Sequence, residues 1–277
     1  MAEKELGSWF NRMMLRKGRL AQGKTQRQVA DEVLISTDSY RDYEAGRTGA
    51  PGKNIKALAE ACGLSKEEAN FMLIAALAHK SSAAVEADMR FNALYLALAE
   101  EYYGTFFKFD ANLIPGPLQL QEYQYIVLRL AEGATEEQLD RGWLFKDGRA
   151  ETIWNRLDRP TIQFLIGETA LHQLREISAE LYQAQMAYLR RWSRKPGVSI
   201  RIQRGPIPAR LSSFDVYMQG ESELSGPPFV YTEIADSSWL IDDPARIASY
   251  DGIRKNLWKK AIRIEVYNDD DWRDRLA

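Results

Sequence analysis

The chain has 277 residues, which is enough for two compact domains with sizeable cores. Hydrophobic residues make up 45% and charged residues 27%, a globular composition that excludes a mostly disordered or fibrous protein. The apolar stretches fall well short of the roughly 20 residues that span a bilayer, and the N-terminus lacks the pattern of an export signal, so we expect a cytoplasmic protein without membrane contact. One Cys and two His do not suffice for a zinc site, and we expect neither metal nor cofactor.

Charge is distributed unevenly on the two sides of Ser81 and Ser82. Residues 1–80 carry 13 Lys and Arg against 10 Asp and Glu, whereas residues 81–277 carry 24 against 29. We therefore expect two domains, 1–80 and 81–277, the first mildly basic and the second acidic. Mild basicity favours a nucleic-acid surface only weakly, so the expectation for the first domain depends on its helices.

Five helices are predicted in the first domain. Their ranges are 6–20, 26–33, 37–45, 54–62 and 65 to about 77. Thr25 and Ser36 are the expected N-caps of the second and third helices, and Ser65 with Glu68 predicts a capping box at the start of the fifth. Two short helices joined by a tight turn are typical of the helix-turn-helix, whose second helix lies in the major groove of DNA.

Four short motifs in this domain follow one another at matching intervals. They are Thr25-Gln26, Val29-Ala30, Ile35-Ser36 and the stretch from Tyr43 to Arg47. The sixty or so residues that contain them resemble the Cro and repressor-like helix-turn-helix proteins of the xenobiotic-response-element family. The resemblance implies double-stranded DNA as a partner.

The position of each side chain on these helices predicts its role on DNA. Gln26, at the start of the second helix, is expected to meet a phosphate with its side-chain amide and its backbone N–H. Arg41 is the leading candidate for reading a base, because a guanidinium can bond a guanine edge bidentately. Arg27, Arg47 and Lys53 are candidate phosphate contacts. The full set of candidate DNA-binding residues is Thr25, Gln26, Arg27, Ser36, Thr37, Asp38, Arg41, Asp42, Arg47 and Lys53.

Two carboxylates, Asp38 and Asp42, stand one helical turn apart on the expected reading face. Phosphates repel carboxylates unless these accept from a cytosine amino group or orient Arg41. One alternative is therefore a helix-turn-helix that contacts protein instead of DNA. Cys62, between Ala61 and Gly63, is interpreted as a small core residue.

Helices and strands alternate in residues 81–277. Helices are predicted at 85–103, 121–131, 135–157, 168–174, 179–192 and 244–262. Strands are predicted at 105–110, 161–166, 198–203, 214–218, 229–233 and 264–267, before an acidic tail at Asp269 to Asp271. The predicted fold class is α+β overall, with an all-α five-helix bundle and a larger mixed α+β domain that contains one mostly antiparallel sheet.

A series of motifs also runs through the second domain. It includes Leu113-Ile-Pro-Gly-Pro-Leu-Gln, Arg159-Pro160, Gly167-Glu-Thr-Ala-Leu and Val230-Tyr-Thr-Glu. In order and spacing it resembles the uncharacterised C-terminal domain of actinobacterial WhiJ-type regulators, so that the two resemblances cover nearly the whole chain. They imply a regulator of development or secondary metabolism, of a kind often encoded beside a small partner protein and sometimes described as antitoxin-like. A small-molecule or protein partner for residues 81–277 is implied but not identified.

Catalytic patterns are missing from the sequence. It has no Gly-x-Ser-x-Gly elbow, no phosphate-binding Gly-rich loop with a Lys and no paired-histidine motif, so we do not expect an enzyme. Large aromatic side chains are the remaining candidates for a ligand or partner site, namely Trp143, Phe145, Trp154 and Trp239. Such residues form either the core or the wall of an apolar pocket, and the pattern leaves both readings open.

These expectations combine into one hypothesis. The chain is a sequence-specific DNA-binding transcription regulator that acts as a homodimer on a two-part operator, with residues 81–277 sensing a small molecule or a partner protein. The alternative is an antitoxin-like or adaptor protein that acts through protein-protein binding instead of specific DNA recognition.

Overall fold

The computed structural model describes residues 6–78, 85–87, 89–208, 211–234 and 237–268. The chain forms two compact units, of which the first contains residues 1–103 and 221–247 and the second residues 104–220 and 248–277. The predicted boundary at Ser81 and Ser82 and the acidic tail at Asp269 to Asp271 lie outside the described residues. The functional division at residue 80 stays a prediction.

Eleven α-helices occur in the described ranges, and each corresponds to a predicted helix. They are α1 (Leu6–Ala21), α2 (Gln26–Val33), α3 (Thr37–Glu44), α4 (Gly52–Ala61), α5 (Lys66–Ala78), α6 (Met89–Tyr102), α7 (Gln121–Glu132), α8 (Glu136–Trp154), α9 (Glu168–Ile177), α10 (Ala179–Trp192) and α11 (Pro244–Lys260). The predicted bounds of α2 and α10 are confirmed at both ends. Among these helices none has the length and the apolarity that crossing a membrane requires.

Eight strands occur in the same ranges. They are β1 (Val85–Ala87), β2 (Thr105–Asp110), β3 (Thr161–Gly167), β4 (Val198–Gln203), β5 (Phe214–Met218), β6 (Phe229–Ile234), β7 (Ser237–Ile241) and β8 (Ile262–Arg263). Within the two units, β7 pairs antiparallel with β1 and β6, β2 with β5, and β4 with β8, whereas β3 is parallel to both β2 and β4. The α+β fold class is thus confirmed.

The sequence interpretation was wrong at the start of the predicted helix 85–103. Val85–Ala87 is a strand, and α6 begins at Met89. Three residues are too few to establish a periodicity, and their state depends on backbone pairing with β7, which was itself not predicted. Four of the five side chains of β7 are buried, so the strand lacks the alternation of apolar and polar residues by which a strand is found.

Two predicted ends in the second unit are also corrected. The helix expected at 135–157 ends at Trp154, because Arg159 and Pro160 follow and the residue before a proline is disfavoured in a helix. The edge strand expected at 264–267 is instead β8 at Ile262–Arg263, followed by a turn in which the N–H of Val266 donates to the carbonyl of Arg263 at 3.1 Å.

The core of the first unit is centred on two aromatic residues of α1, Trp9 and Phe10, which are fully buried. Phe10 stacks on Tyr95 of α6 with 4.0 Å between the ring centroids, and the indole N–H of Trp9 donates to the carbonyl of Leu224 at 2.8 Å. A Cβ at Gly226 would lie 2.5 Å from the Trp9 ring, so that position requires glycine. The helical bundle therefore packs on segments that lie 85 and 215 residues further along the chain.

The second unit contains a five-stranded sheet in the order β5-β2-β3-β4-β8. α7 and α8 connect β2 to β3, and α9 and α10 connect β3 to β4, as parallel neighbours require. Phe164 of β3 lies near Trp154 at the end of α8, whereas Phe107 of β2 contacts Trp258 of α11. Helices thus contact side chains that point to opposite faces of the sheet, which agrees with the nearly continuous apolar runs of β2 and β3.

The turn between α2 and α3 is formed by a residue in an unfavourable backbone conformation. Leu34 has φ 58° and ψ 43°, and its N–H donates to the carbonyls of Ala30 and Asp31. Its side chain is 92% exposed, so packing does not compensate for the left-handed conformation, which costs an L-residue about 1–2 kcal/mol.

We predict that Leu34→Gly raises the free energy of unfolding by about 0.5–1 kcal/mol. Glycine adopts the left-handed conformation without the steric cost that leucine has there, and this gain is larger than the free energy that the extra backbone entropy of glycine gives to the unfolded chain. Urea unfolding followed by circular dichroism measures the change. The matched control is Leu20→Gly, an exposed leucine in α1, which we expect to lower stability by about 1 kcal/mol. A loss of stability in both variants would contradict the prediction.

Candidate nucleic-acid interface

Local side-chain bonds fix the start of both helices of the helix-turn-helix. The Thr25 hydroxyl accepts from the N–H of Gln28 at 3.2 Å, and the Gln28 side chain accepts from the N–H of Thr25 at 2.8 Å. At α3 the Ser36 hydroxyl accepts from the N–H of Ser39 at 3.1 Å. The N-caps predicted at Thr25 and Ser36 are therefore confirmed as helix starts, and their place on DNA stays a prediction.

The outward face of α3 carries the predicted reading residues. Asp38 and Arg41 are exposed, and Thr37 and Asp42 are half-buried. The Arg41 guanidinium donates to Asp38 at 2.7 Å, one turn back along the helix. This pair holds Arg41 in a defined direction while more than half of its side chain stays in solvent.

The other acidic residue of this face also has a basic partner. Arg47, in the loop after α3, donates through Nε to Asp42 at 2.6 Å. On α2, Arg27 lies 3.7 Å from Asp31, and both side chains are mostly exposed. Exposed ion pairs contribute about 0–1 kcal/mol, so a phosphate can replace the carboxylate at these arginines at little cost. Lys53, at the start of α4, is exposed.

A buried ion pair lies behind this face. The guanidinium of Arg19, near the end of α1, donates to both carboxylate oxygens of Glu44 at 2.6 and 2.9 Å. It also donates to the carbonyl of Lys24 at 2.8 Å, and the amide of Gln26 donates to Glu44 at 2.8 Å. One carboxylate therefore joins the end of α1, the start of α2 and the end of α3.

The surroundings of Glu44 keep it ionised. Burial acts to raise the pKa of Glu44, but hydrogen bonds from Arg19 and Gln26 outweigh it and hold that pKa below its ordinary value. Burial raises the pKa of Tyr40 and the pKa of Cys62, whose hydroxyl and thiol lie 3.4 Å apart. Cys62 is thus a buried, protonated thiol, as its interpretation as a core residue requires.

Gln26 has a second role besides the predicted phosphate contact. One hydrogen of its amide is directed to Glu44, and a primary amide has two. The phosphate contact of Gln26 stays a prediction, and its second amide hydrogen and its backbone N–H are the donors that such a contact would use. The sequence interpretation did not find the Arg19–Glu44 pair, although Glu44 follows the apolar Tyr40 by four residues and so shares its face of α3. A buried carboxylate requires a cationic partner, so the position of Glu44 could have led to a search for a basic residue such as Arg19.

The four aromatic candidates belong to two different units. Trp239 lies on β7 of the first unit, and the other three lie on α8 of the second. At 1.5 Å per residue, Trp143 and Trp154 are about 16 Å apart along α8. Phe145 is partly exposed, with the Arg149 guanidinium 5.5 Å from its ring centroid. Trp154 stacks on Trp192 at 3.8 Å and lines a cavity.

A capped pair of short helices, with a tight turn between them and a partly exposed second helix, defines a helix-turn-helix protein. The helix-turn-helix family matches residues 15–68, which indicates a DNA-binding regulator; that family binds DNA and is not enzymatic. The family described as "Domain of unknown function (DUF5753)" matches residues 96–265, more than half of the chain, and the chain belongs to this family. No curated protein matches the chain. In the described ranges no group of three or more His, Cys, Asp or Glu could hold a metal ion.

We predict that Glu44→Gln lowers the free energy of unfolding at neutral pH by about 3 kcal/mol, because Arg19 then keeps a buried charge without its counter-ion. The folded-state pKa of Glu44 is lowered, so its contribution is present above the ordinary glutamate pKa of about 4.3 and is lost as pH falls through the folded-state value. The difference between wild type and variant therefore shrinks on acidification.

Urea unfolding from pH 7 to pH 3 measures this difference. Asp31→Asn is the matched control, because it neutralises an exposed carboxylate of the same bundle, and we expect no measurable change. A difference between wild type and Glu44→Gln that stays constant from pH 7 to pH 3 would contradict the assignment.

Proposed function

We propose that the chain is a sequence-specific DNA-binding transcription regulator in which α3 enters the major groove. The observation that carries the proposal is the Arg41 guanidinium, which is exposed on α3 and held by Asp38 at 2.7 Å. A guanidinium with a fixed direction and free donors is suited to the two acceptors of a guanine edge. Of the roles open to Asp38, orienting Arg41 is therefore favoured.

Contacts to phosphates surround this base-reading group in the proposal. The N-terminal end of α2, with the backbone N–H of Gln26 and its second amide hydrogen, is directed to one phosphate. The cations Arg27, Arg47 and Lys53 take others, the two arginines by exchanging their carboxylate partners for phosphate oxygens. Thr37 and Asp42 complete the reading face. Because acidic residues nearly balance the cations, we expect modest non-specific affinity.

A single reading helix of eight residues offers few base contacts. We therefore propose a symmetric homodimer on a two-part operator, in which each copy places α3 in one half-site. Residues 81–277, proposed as the sensing part, would bind a small molecule or a protein and shift the DNA-competent population. The order of a helix-turn-helix match and a match of unknown function supports this division, and the resemblance to WhiJ-type regulators agrees with it. No catalytic role is proposed.

We predict that Arg41→Ala weakens binding of the full chain to its selected duplex by about 1–3 kcal/mol, with the loss confined to duplexes that carry the cognate base. Lys53→Ala is expected to weaken binding to all duplexes alike. It should also reduce the slope of log affinity against log salt concentration by about 1, the amount that corresponds to one lost phosphate contact. Selection from a random duplex pool at near-physiological salt supplies the duplex, and fluorescence anisotropy measures affinity. Equal losses on every duplex for both variants would overturn the assignment of Arg41.

Asp38→Asn separates orientation of Arg41 from plain repulsion. If Asp38 orients Arg41, the variant binds the selected duplex more weakly but binds unrelated duplexes slightly better, because one negative charge is gone. If Asp38 only repels phosphates, affinity rises on both. Failure of the full chain to enrich any duplex would favour the protein-binding alternative over the proposal.

A further inference from the structure

A cavity of about 250 Å³ lies in the second unit, between the loop that follows α8 and the loop that follows α10. Its apolar walls include Trp154, Ile162 and Val198. Its charged lining consists of Arg156, Arg159 and Lys195. The volume lies just below the usual range of small-molecule sites, and the cavity combines apolar walls with convergent charged groups.

Positive charge is in excess in this cavity. Arg156 is bound by Asp158, whose pKa the guanidinium holds below its ordinary value, so that carboxylate is ionised. In the described part of the chain, neither Lys195 nor Arg159 has a carboxylate partner. The ammonium of Lys195 donates to the carbonyl of Trp154 at 3.0 Å and lies 4.2 Å from the centroid of the Trp192 ring, both of them neutral groups. Beside the Arg156–Asp158 pair, the lining thus carries two cations, Arg159 and Lys195, that have no carboxylate partner among the described residues.

The two loops that form the cavity are held in a fixed geometry. Arg159 has φ 50°, a left-handed conformation, directly before Pro160. Gly197 of the other loop has φ 84°, and a Cβ there would lie 2.4 Å from the carbonyl of Pro160. The loops therefore touch at a position that allows only glycine, and Arg159, directly before Pro160, has a costly backbone conformation.

We propose that this cavity binds a small organic anion, a phosphate or carboxylate carried on an aromatic or other apolar group. Arg159 and Lys195 neutralise the anionic group, and Trp154 with the aliphatic walls covers the apolar part. Lys195 has a structural role as well, because its ammonium caps the end of α8 by donating to the Trp154 carbonyl. Arg159 does not take part in this cap. Arg159 is therefore the residue on which the test depends. The site does not require that α3 binds DNA.

Phenyl phosphate is the probe, and calorimetric titration of the full chain without DNA is the measurement. We expect saturable binding with one site per chain, which Arg159→Gly weakens by about tenfold or more. Glycine suits φ 50° and removes the cation, so the variant is expected to fold at least as stably as the wild type. Arg194→Ala is the control, because Arg194 is exposed in the loop that follows α10, beside Lys195, and does not line the cavity.

Two further probes identify which part of the ligand is recognised. Inorganic phosphate is expected to bind more weakly than phenyl phosphate because it leaves the apolar walls uncovered, and benzoate tests whether a carboxylate suffices. The proposal is overturned if phenyl phosphate does not bind at up to about 10 mM, or if Arg159→Gly and Arg194→Ala weaken it equally. Since DNA is absent from these titrations, their outcome is separate from that of the duplex experiments.

Discussion

Burial of the Arg19 and Glu44 charges in direct contact is the constraint on which the arrangement of α1, α2 and α3 depends. Both groups are almost without access to water, so each requires the other and the remaining donors and acceptors must also be satisfied. Gln26 and the Lys24 carbonyl meet that requirement, which fixes the start of α2 and the end of α3 together. The buried pair thus fixes the place of α3, and with it the position from which Arg41 reaches solvent.

Local chemistry made the helical bundle predictable. Thr25, Ser36 and Ser65 satisfy backbone N–H groups within three residues of themselves, so the starts of α2, α3 and α5 can be found without knowledge of the rest of the fold. β1 could not be found in this way, because its backbone groups pair with β7, about 150 residues further along the chain. β7 directly follows its partner β6, but its mostly buried side chains lack the alternation by which a strand is found.

The same distinction applies to the sites. The reading face of α3 follows from helical spacing alone, and the pair of Asp38 with Arg41 is a local consequence of that spacing. In contrast, the cationic cavity exists because the loops at Pro160 and Gly197 meet across neighbouring strands. Nothing in the local sequence around Arg159 indicates that its backbone is left-handed, since that conformation is imposed by tertiary contact.

The contact of Trp9 with Leu224 and Gly226 has a consequence for biosynthesis. A ribosome adds roughly 5–20 residues per second, so about 10–40 seconds pass between synthesis of the tryptophan and synthesis of the segment that covers it. During that interval the Trp9 ring lacks the packing that Leu224 and Gly226 supply. The core of the helical bundle is thus completed only after most of the chain has emerged. A message truncated before codon 224 yields a bundle that lacks part of this core.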